Sequence, residues 1–167
     1  MACEIISTEG SVFVLWGKPS KADVDRVIDR VELIAHASGK PILYITRVPM
    51  AAPPPDPEVR QYMNSVMPRA IKACSSYHVL LEGSGFVSAV KRAILASLLQ
   101  FGWRNGTFFV HENEKGVSAK VERTVRPDVE AILGLARSRG LLTAPPPEDS
   151  GQPRAGSRMH GQQSLNH

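Results

Sequence analysis

The chain has 167 residues, of which 43% are hydrophobic and 22% are charged, enough for one domain with a sizeable core. Its formal net charge of +4 is mild, and the basic residues alternate with acidic ones, which argues against a nucleic-acid-binding surface. No apolar run approaches the roughly 20 residues of a transmembrane helix. The first residues also lack the pattern of a secretion signal, so we expect a cytoplasmic protein that does not insert into a membrane.

The first predicted elements are a strand, a helix and a second strand. Residues 11–16 are rich in β-branched and aromatic side chains, and Ser20 with Asp23 predicts a capped helix start. Gly39 is placed to end that helix. The predicted helix carries an apolar stripe at three- and four-residue spacing: Val24, Val27, Ile28, Val31, Ile34 and Ala35. Residues 41–46 form a continuous apolar run, which is typical of a central strand covered on both faces.

The middle of the chain continues the alternation. A Pro-rich connector over residues 47–57 is expected to be extended, and Asp56 with Pro57 predicts the next helix start. Pro68 should kink this helix or divide it into two segments. Residues 77–81 then predict a third strand, and residues 86–101 predict a helix that is apolar around much of its circumference.

The last elements are shorter. Residues 107–111 predict a fourth strand, and two short helices are expected over residues 117–125 and 128–138, divided at Pro127. After residue 142 the composition turns to Pro, Gly, Ser and Gln, which cannot bury enough surface to offset the entropy of ordering. The sequence therefore predicts one α/β domain over residues 1–142 and a disordered tail over residues 143–167. Its core should be a single mixed, mostly parallel sheet of about four to five strands packed by alternating helices.

No set of residues indicates catalysis, a cofactor or a metal. Residues 81–85 read Leu–Glu–Gly–Ser–Gly, which matches neither a phosphate loop nor a dinucleotide fingerprint nor a nucleophile elbow. A tight turn that caps a helix is favoured there over an anion site. His78 and His111 lie in predicted strands, where hydrogen-bonded core or edge imidazoles are the common outcome. The two cysteines have no metal-ligand spacing; Cys74 is expected to be a buried thiol and Cys3 an exposed one on a loose N-terminus.

The carboxyl end of the second predicted strand is the most interesting surface. Ligands of open parallel sheets usually dock at this edge. Arg47 leaves the strand there, either to contact a partner or to lay its stem on the Pro-rich connector. The candidate partner-binding residues are Thr46, Arg47, Val48 and Met50, with Ser84 and Phe86 next to them.

The order of elements resembles that of a known superfamily. Four strands alternate with four helices, and the second helix contains Met63–Asn–Ser–Val–Met–Pro68. The third strand, Tyr77–His–Val–Leu–Leu–Glu82, leads through Gly–Ser–Gly–Phe86 into a helix that begins Val87–Ser–Ala–Val–Lys–Arg92. Over about residues 9–140 this pattern is similar to the STAS superfamily of anti-sigma-factor antagonists, and especially to its SpoIIAA-like branch.

The resemblance implies a mostly non-catalytic protein that binds a partner protein. Family antagonists are controlled by phosphorylation of a serine in a motif like Asp-Ser-Ser-Gly. The corresponding residues 46–51 of this chain contain no serine, so no phosphorylation site is carried over.

We therefore expect a non-enzymatic, bacterial-type signalling or scaffolding module that acts by protein–protein interaction, and a homo-oligomer is compatible with that role. The alternative is a domain that binds a small apolar, lipid-like ligand along the helix predicted over residues 86–101.

Overall fold

The computed structural model describes residues 3–81, 108–121 and 125–142. In these ranges, five strands form one sheet in the order β1-β2-β3-β4-β5. The strands are β1 (Glu4–Ser7), β2 (Ser11–Leu15), β3 (Ile42–Val48), β4 (Cys74–Leu81) and β5 (Phe108–His111). β1 pairs antiparallel with β2, and the remaining pairs are parallel. The predicted α/β fold with one mixed, mostly parallel sheet is confirmed.

The N-terminal strand β1 corrects one expectation. Residues 3–7 are not loose, because β1 forms a hairpin with β2 in which Ile6 pairs with Phe13. Cys3 is buried, and its carbonyl accepts a hydrogen bond of 3.2 Å from Nη2 of Arg26. Burial raises the pKa of the Cys3 thiol to about 12, so it is an inert packing group and not an exposed thiol.

Four helices accompany the sheet in the described ranges: α1 (Lys21–Ser38), α2 (Pro57–Ala73), α3 (Glu114–Lys120) and α4 (Arg126–Ser138). The predicted start of α1 is confirmed, since the Ser20 hydroxyl accepts from the Asp23 amide while the Asp23 carboxylate accepts from the Ser20 amide. The hydrogen bonds that the Ser20 amide and hydroxyl donate to the Asp23 carboxylate lower the pKa of Asp23. Gly39 ends α1 with a φ of 65°, as its position predicts.

One predicted division and two helix boundaries differ from the predictions. α2 begins at Pro57 as predicted and runs to Ala73, so Pro68 does not divide it into two segments; Met67 and Ala70 on either side of Pro68 are buried. α3 begins at Glu114, since the Asn113 side chain accepts a hydrogen bond from the Gly116 amide and caps the helix. Pro127 lies in the first turn of α4 and does not precede it, because a missing amide hydrogen costs nothing there.

The sheet is covered on both faces. Strand residues such as Val12, Val14 and Tyr44 face α1 and α2, whereas their neighbours Phe13 and Ile45 face α3 and α4. This arrangement explains the continuous apolar run of β3. No helix in the described ranges is both long and apolar enough to cross a membrane. The helix predicted over residues 86–101 and the tail predicted over residues 143–167 lie outside the described residues.

Candidate functional site

The predicted partner-binding residues at the end of β3 lie on different faces of the sheet. Thr46 is 2% exposed, and its hydroxyl donates to the Val14 carbonyl at 3.1 Å. Val48 is half-buried against the core beneath α1 and α2. Because side chains alternate along a strand, Arg47 lies on the opposite face. Thr46 and Val48 therefore face the core at this edge of the sheet and not the solvent. The other two candidate residues, Ser84 and Phe86, lie outside the described residues.

Arg47 fastens the C-terminal end of the domain. Its side chain is half-buried, and Nη1 donates a hydrogen bond to the carbonyl of Leu141. Leu141 and Leu142 are themselves buried in the core beneath α3 and α4. The guanidinium therefore ties the segment after α4 to the carboxyl edge of the sheet, which neither interpretation of Arg47 from sequence anticipated.

Arg47→Met is expected to lower the free energy of unfolding by about 1–2 kcal/mol, because the Leu141 carbonyl loses a charged donor while the apolar stem is kept. Urea unfolding measures the change. Arg69→Met is the matched control, since Arg69 is exposed and donates to the exposed Glu32 carboxylate. A surface pair of that kind contributes little, so the control should change far less. An equal loss of unfolding free energy in both variants would contradict the proposed role of Arg47 in holding the segment after α4.

The connector between β3 and α2 presents an apolar side chain at this edge. The Ala52 amide donates to the Pro49 carbonyl at 3.1 Å, which closes a turn with Met50 at its first corner. Met50 is 59% exposed, the highest value among the large hydrophobic side chains that the structure describes. We name residues 49–52 the Met50 turn.

Two ion pairs hold the far end of the connector against the start of α1. Lys18 Nζ lies 3.3 Å from the Asp56 carboxylate, and Lys21 Nζ lies 2.5 Å from the Glu58 carboxylate. Asp56 occupies the N-cap position of α2, but its side chain makes no capping hydrogen bond there. The Lys21 ammonium lowers the pKa of Glu58. Both pairs are exposed to solvent, so they show where the connector meets the start of α1 but add little to its stability.

A second group of polar side chains lies inside the domain, on the face beneath α3 and α4. Ser76 and His78 are two residues apart on β4 and therefore share a face. The Ser76 hydroxyl is 3.0 Å from Nε2 of His78, and Nδ1 of His78 is 2.9 Å from Nε2 of His111 on β5. His78 is fully buried and His111 is 8% exposed, while Ser76 is half-buried. We name these three residues the Ser76–His78–His111 chain.

Both imidazoles are held neutral by their surroundings. Burial, with a smaller contribution from His111, lowers the pKa of His78 to about 4. Burial also lowers the pKa of His111, and the Lys120 ammonium adds to that effect. The two rings stack with centroids 5.2 Å apart, and Phe109 stacks on His78 at 5.1 Å. The expectation of hydrogen-bonded core imidazoles is confirmed for both histidines.

The sequence predicts only part of the Ser76–His78–His111 chain. The Ser-x-His spacing in a predicted strand already places Ser76 and His78 on one face. The contact with His111 depends on the register of β4 and β5, in which Leu80 pairs with His111. The sequence does not predict that register, so it gives no sign that the two histidines meet.

The other polar groups that the structure describes are weaker candidates for a functional site. Within the ranges that the structure describes, no group of three or more His, Cys, Asp and Glu residues is arranged to hold a metal ion. Cys74 is half-buried, and burial raises the pKa of its thiol to about 12. A cleft of about 910 Å³ opens at the amino end of the parallel strands, and its charged lining includes Arg30, Lys40 and Asp128.

Comparisons with protein-family models, with curated proteins and with solved structures found no match.

Proposed function

We propose that this protein is a cytoplasmic signalling or scaffolding module of the STAS or SpoIIAA-like kind, and that it binds a partner protein through the Met50 turn. The observation that carries this proposal is the 59% exposure of Met50 at the corner of a hydrogen-bonded turn. Methionine is enriched at protein interfaces because its flexible thioether adapts to a partner's surface. The alternation of β2, α1, β3, α2 and β4 supports the STAS-like assignment.

The surroundings of the turn fit a small binding site. The connector leaves the sheet next to the buried Thr46, and the Met50 turn is closed by the hydrogen bond from the Ala52 amide to the Pro49 carbonyl. A loop that is already ordered loses less conformational entropy on binding. The partner should therefore present an apolar pocket for the exposed Met50 side chain.

The test compares Met50→Glu with Leu33→Glu in co-purification from the native host. Leu33 is the matched control because it is 56% exposed, almost as much as Met50, but lies on α1. We expect one protein to be retained by the wild type and by Leu33→Glu and to be lost with Met50→Glu. The reason is that a carboxylate cannot enter an apolar pocket without a large desolvation cost.

Binding of that protein to purified wild type should then be measured by calorimetry. Met50→Glu is expected to weaken it at least about 10-fold, since loss of a hot-spot residue costs about 2 kcal/mol or more and a tenfold change is about 1.4 kcal/mol. Equal loss in both variants would show a general effect of surface charge. Retention of the partner by Met50→Glu would exclude the Met50 turn as the binding site.

The alternative of a small apolar ligand gains no support from the described cleft. Its lining includes Glu9, Arg30, Lys40 and Asp128, which suit a polar molecule better than a lipid-like one. The helix expected to line an apolar cavity lies outside the described residues.

A further inference from the structure

We propose that the Ser76–His78–His111 chain is a catalytic site for acyl transfer, with small carboxylic esters as its substrate class. Ser76 is the nucleophile, His78 is the general base, and His111 is the positioning residue that orients the base. A nucleophile within hydrogen-bond reach of a base, with that base held by a third group, is the arrangement that activates serine in proteins. The distances of 3.0 Å and 2.9 Å meet that condition along the whole chain.

The hydrogen-bond directions required for this chemistry are available. We assign the tautomer in which Nδ1 of His78 carries the hydrogen and donates it to Nε2 of His111. Nε2 of His78 then has a free lone pair that accepts the Ser76 hydroxyl hydrogen. Because burial keeps both rings neutral at pH 7, this acceptor is not occupied by a second proton.

The groups around the chain hold its geometry. Phe109 stacks on the His78 ring, and α3 packs against His111 through Gly116, where a side chain would come within 2.8 Å of Nδ1. The Lys120 ammonium of α3 contributes to the lowered pKa of His111. Ser76 is half-buried whereas both imidazoles are buried, so a substrate would approach from the serine side.

The reaction has two steps with balanced protons. Oγ of Ser76 bonds to the ester carbonyl carbon while its proton passes to Nε2 of His78. The tetrahedral intermediate then loses the alcohol, which takes that proton as its carbon–oxygen bond breaks. Water then attacks the acyl carbon while its proton passes to Nε2 of His78. The bond from that carbon to Oγ of Ser76 breaks, and His78 returns the proton to Oγ, so that one ester and one water give one carboxylic acid and one alcohol.

The experiment treats the purified full chain with an alkyl fluorophosphonate and, separately, with p-nitrophenyl acetate. Ser75→Ala is the matched control, because Ser75 is the adjacent residue and its hydroxyl donates to the Ile42 carbonyl instead. We expect one phosphonate on Ser76, located by peptide mass spectrometry, in the wild type and in Ser75→Ala. Ester hydrolysis should fall about 100-fold or more in Ser76→Ala, the size of a lost general-base and nucleophile pair.

Two further variants separate catalysis from folding and from a general effect of added surface charge. His111→Gln, checked for an unchanged circular dichroism spectrum, should slow labelling of Ser76 and change its pH profile, since the base loses its orienting partner. Leu33→Glu, at an exposed position on α1, should leave labelling unchanged. Absence of label on Ser76 in the folded wild type, or equal ester hydrolysis by Ser76→Ala, would overturn the catalytic site. Neither result would affect the proposal for the Met50 turn.

Discussion

Gly116→Ala is expected to destabilise the protein by about 1–2 kcal/mol, although alanine normally favours a helix over glycine. A Cβ at this position would lie 2.8 Å from Nδ1 of His111 and 3.2 Å from its Cβ and Cγ. The His111 ring cannot move away easily, because it is hydrogen-bonded to His78 and buried. Either α3 must shift or the hydrogen bond between the two histidines must break.

Gly134→Ala on α4 is the matched control for this substitution. A Cβ there meets no atom within 4 Å, and the residue lies inside the helix. It should therefore stabilise the protein by about 0.5–1 kcal/mol through reduced backbone entropy in the unfolded chain. Chemical denaturation of both variants measures the two changes, and a stabilising Gly116→Ala would contradict the tight contact between α3 and His111.

Mild acid is expected to destabilise the protein through the two buried histidines. In the unfolded chain an imidazole binds a proton below its ordinary pKa of 6.5, whereas folded His78 does so only below about 4. Between these values the unfolded state binds more protons, so stability falls as the pH falls. His78 alone should contribute a loss on the order of 3 kcal/mol from above pH 6.5 to pH 4, and His111 should add to it.

Urea unfolding at a series of pH values tests this dependence. His78→Gln removes the titrating group, so we expect a shallower fall in stability between pH 6.5 and 4, whatever its stability at pH 7.5. Ser75→Ala is the control, because it changes a neighbouring residue of β4 without removing a titrating group and should leave the pH dependence as in the wild type. Identical slopes in the wild type and His78→Gln would show that His78 is not the origin of the acid sensitivity.

The elements with local signals were predictable from sequence. The capping residues and the periodic stripe of α1 gave its start, its buried face and its end. β1 has only four residues and is fixed by pairing with β2, so its own sequence carried little signal. The start of α3 depends on the single cap at Asn113, whereas the sequence pattern predicts a start three residues later, at residue 117.

The candidate sites were less predictable because they depend on contacts between distant segments. Arg47 was placed correctly at the end of β3, but its hydrogen bond joins residues that are 94 positions apart. The link between His78 and His111 likewise spans 33 positions and requires the register of β4 with β5. Side-chain alternation separates Thr46 from Arg47, so neighbours in sequence do not form one surface.

The central proposal is tested most directly by a photo-crosslinking amino acid at position 50 and, for comparison, at position 33. Both side chains are similarly exposed, at 59% and 56%, so each would meet random neighbours about equally often. We predict one discrete crosslinked partner from position 50 and none of that mass from position 33. The same crosslink from both positions, or only from position 33, would contradict binding through the Met50 turn.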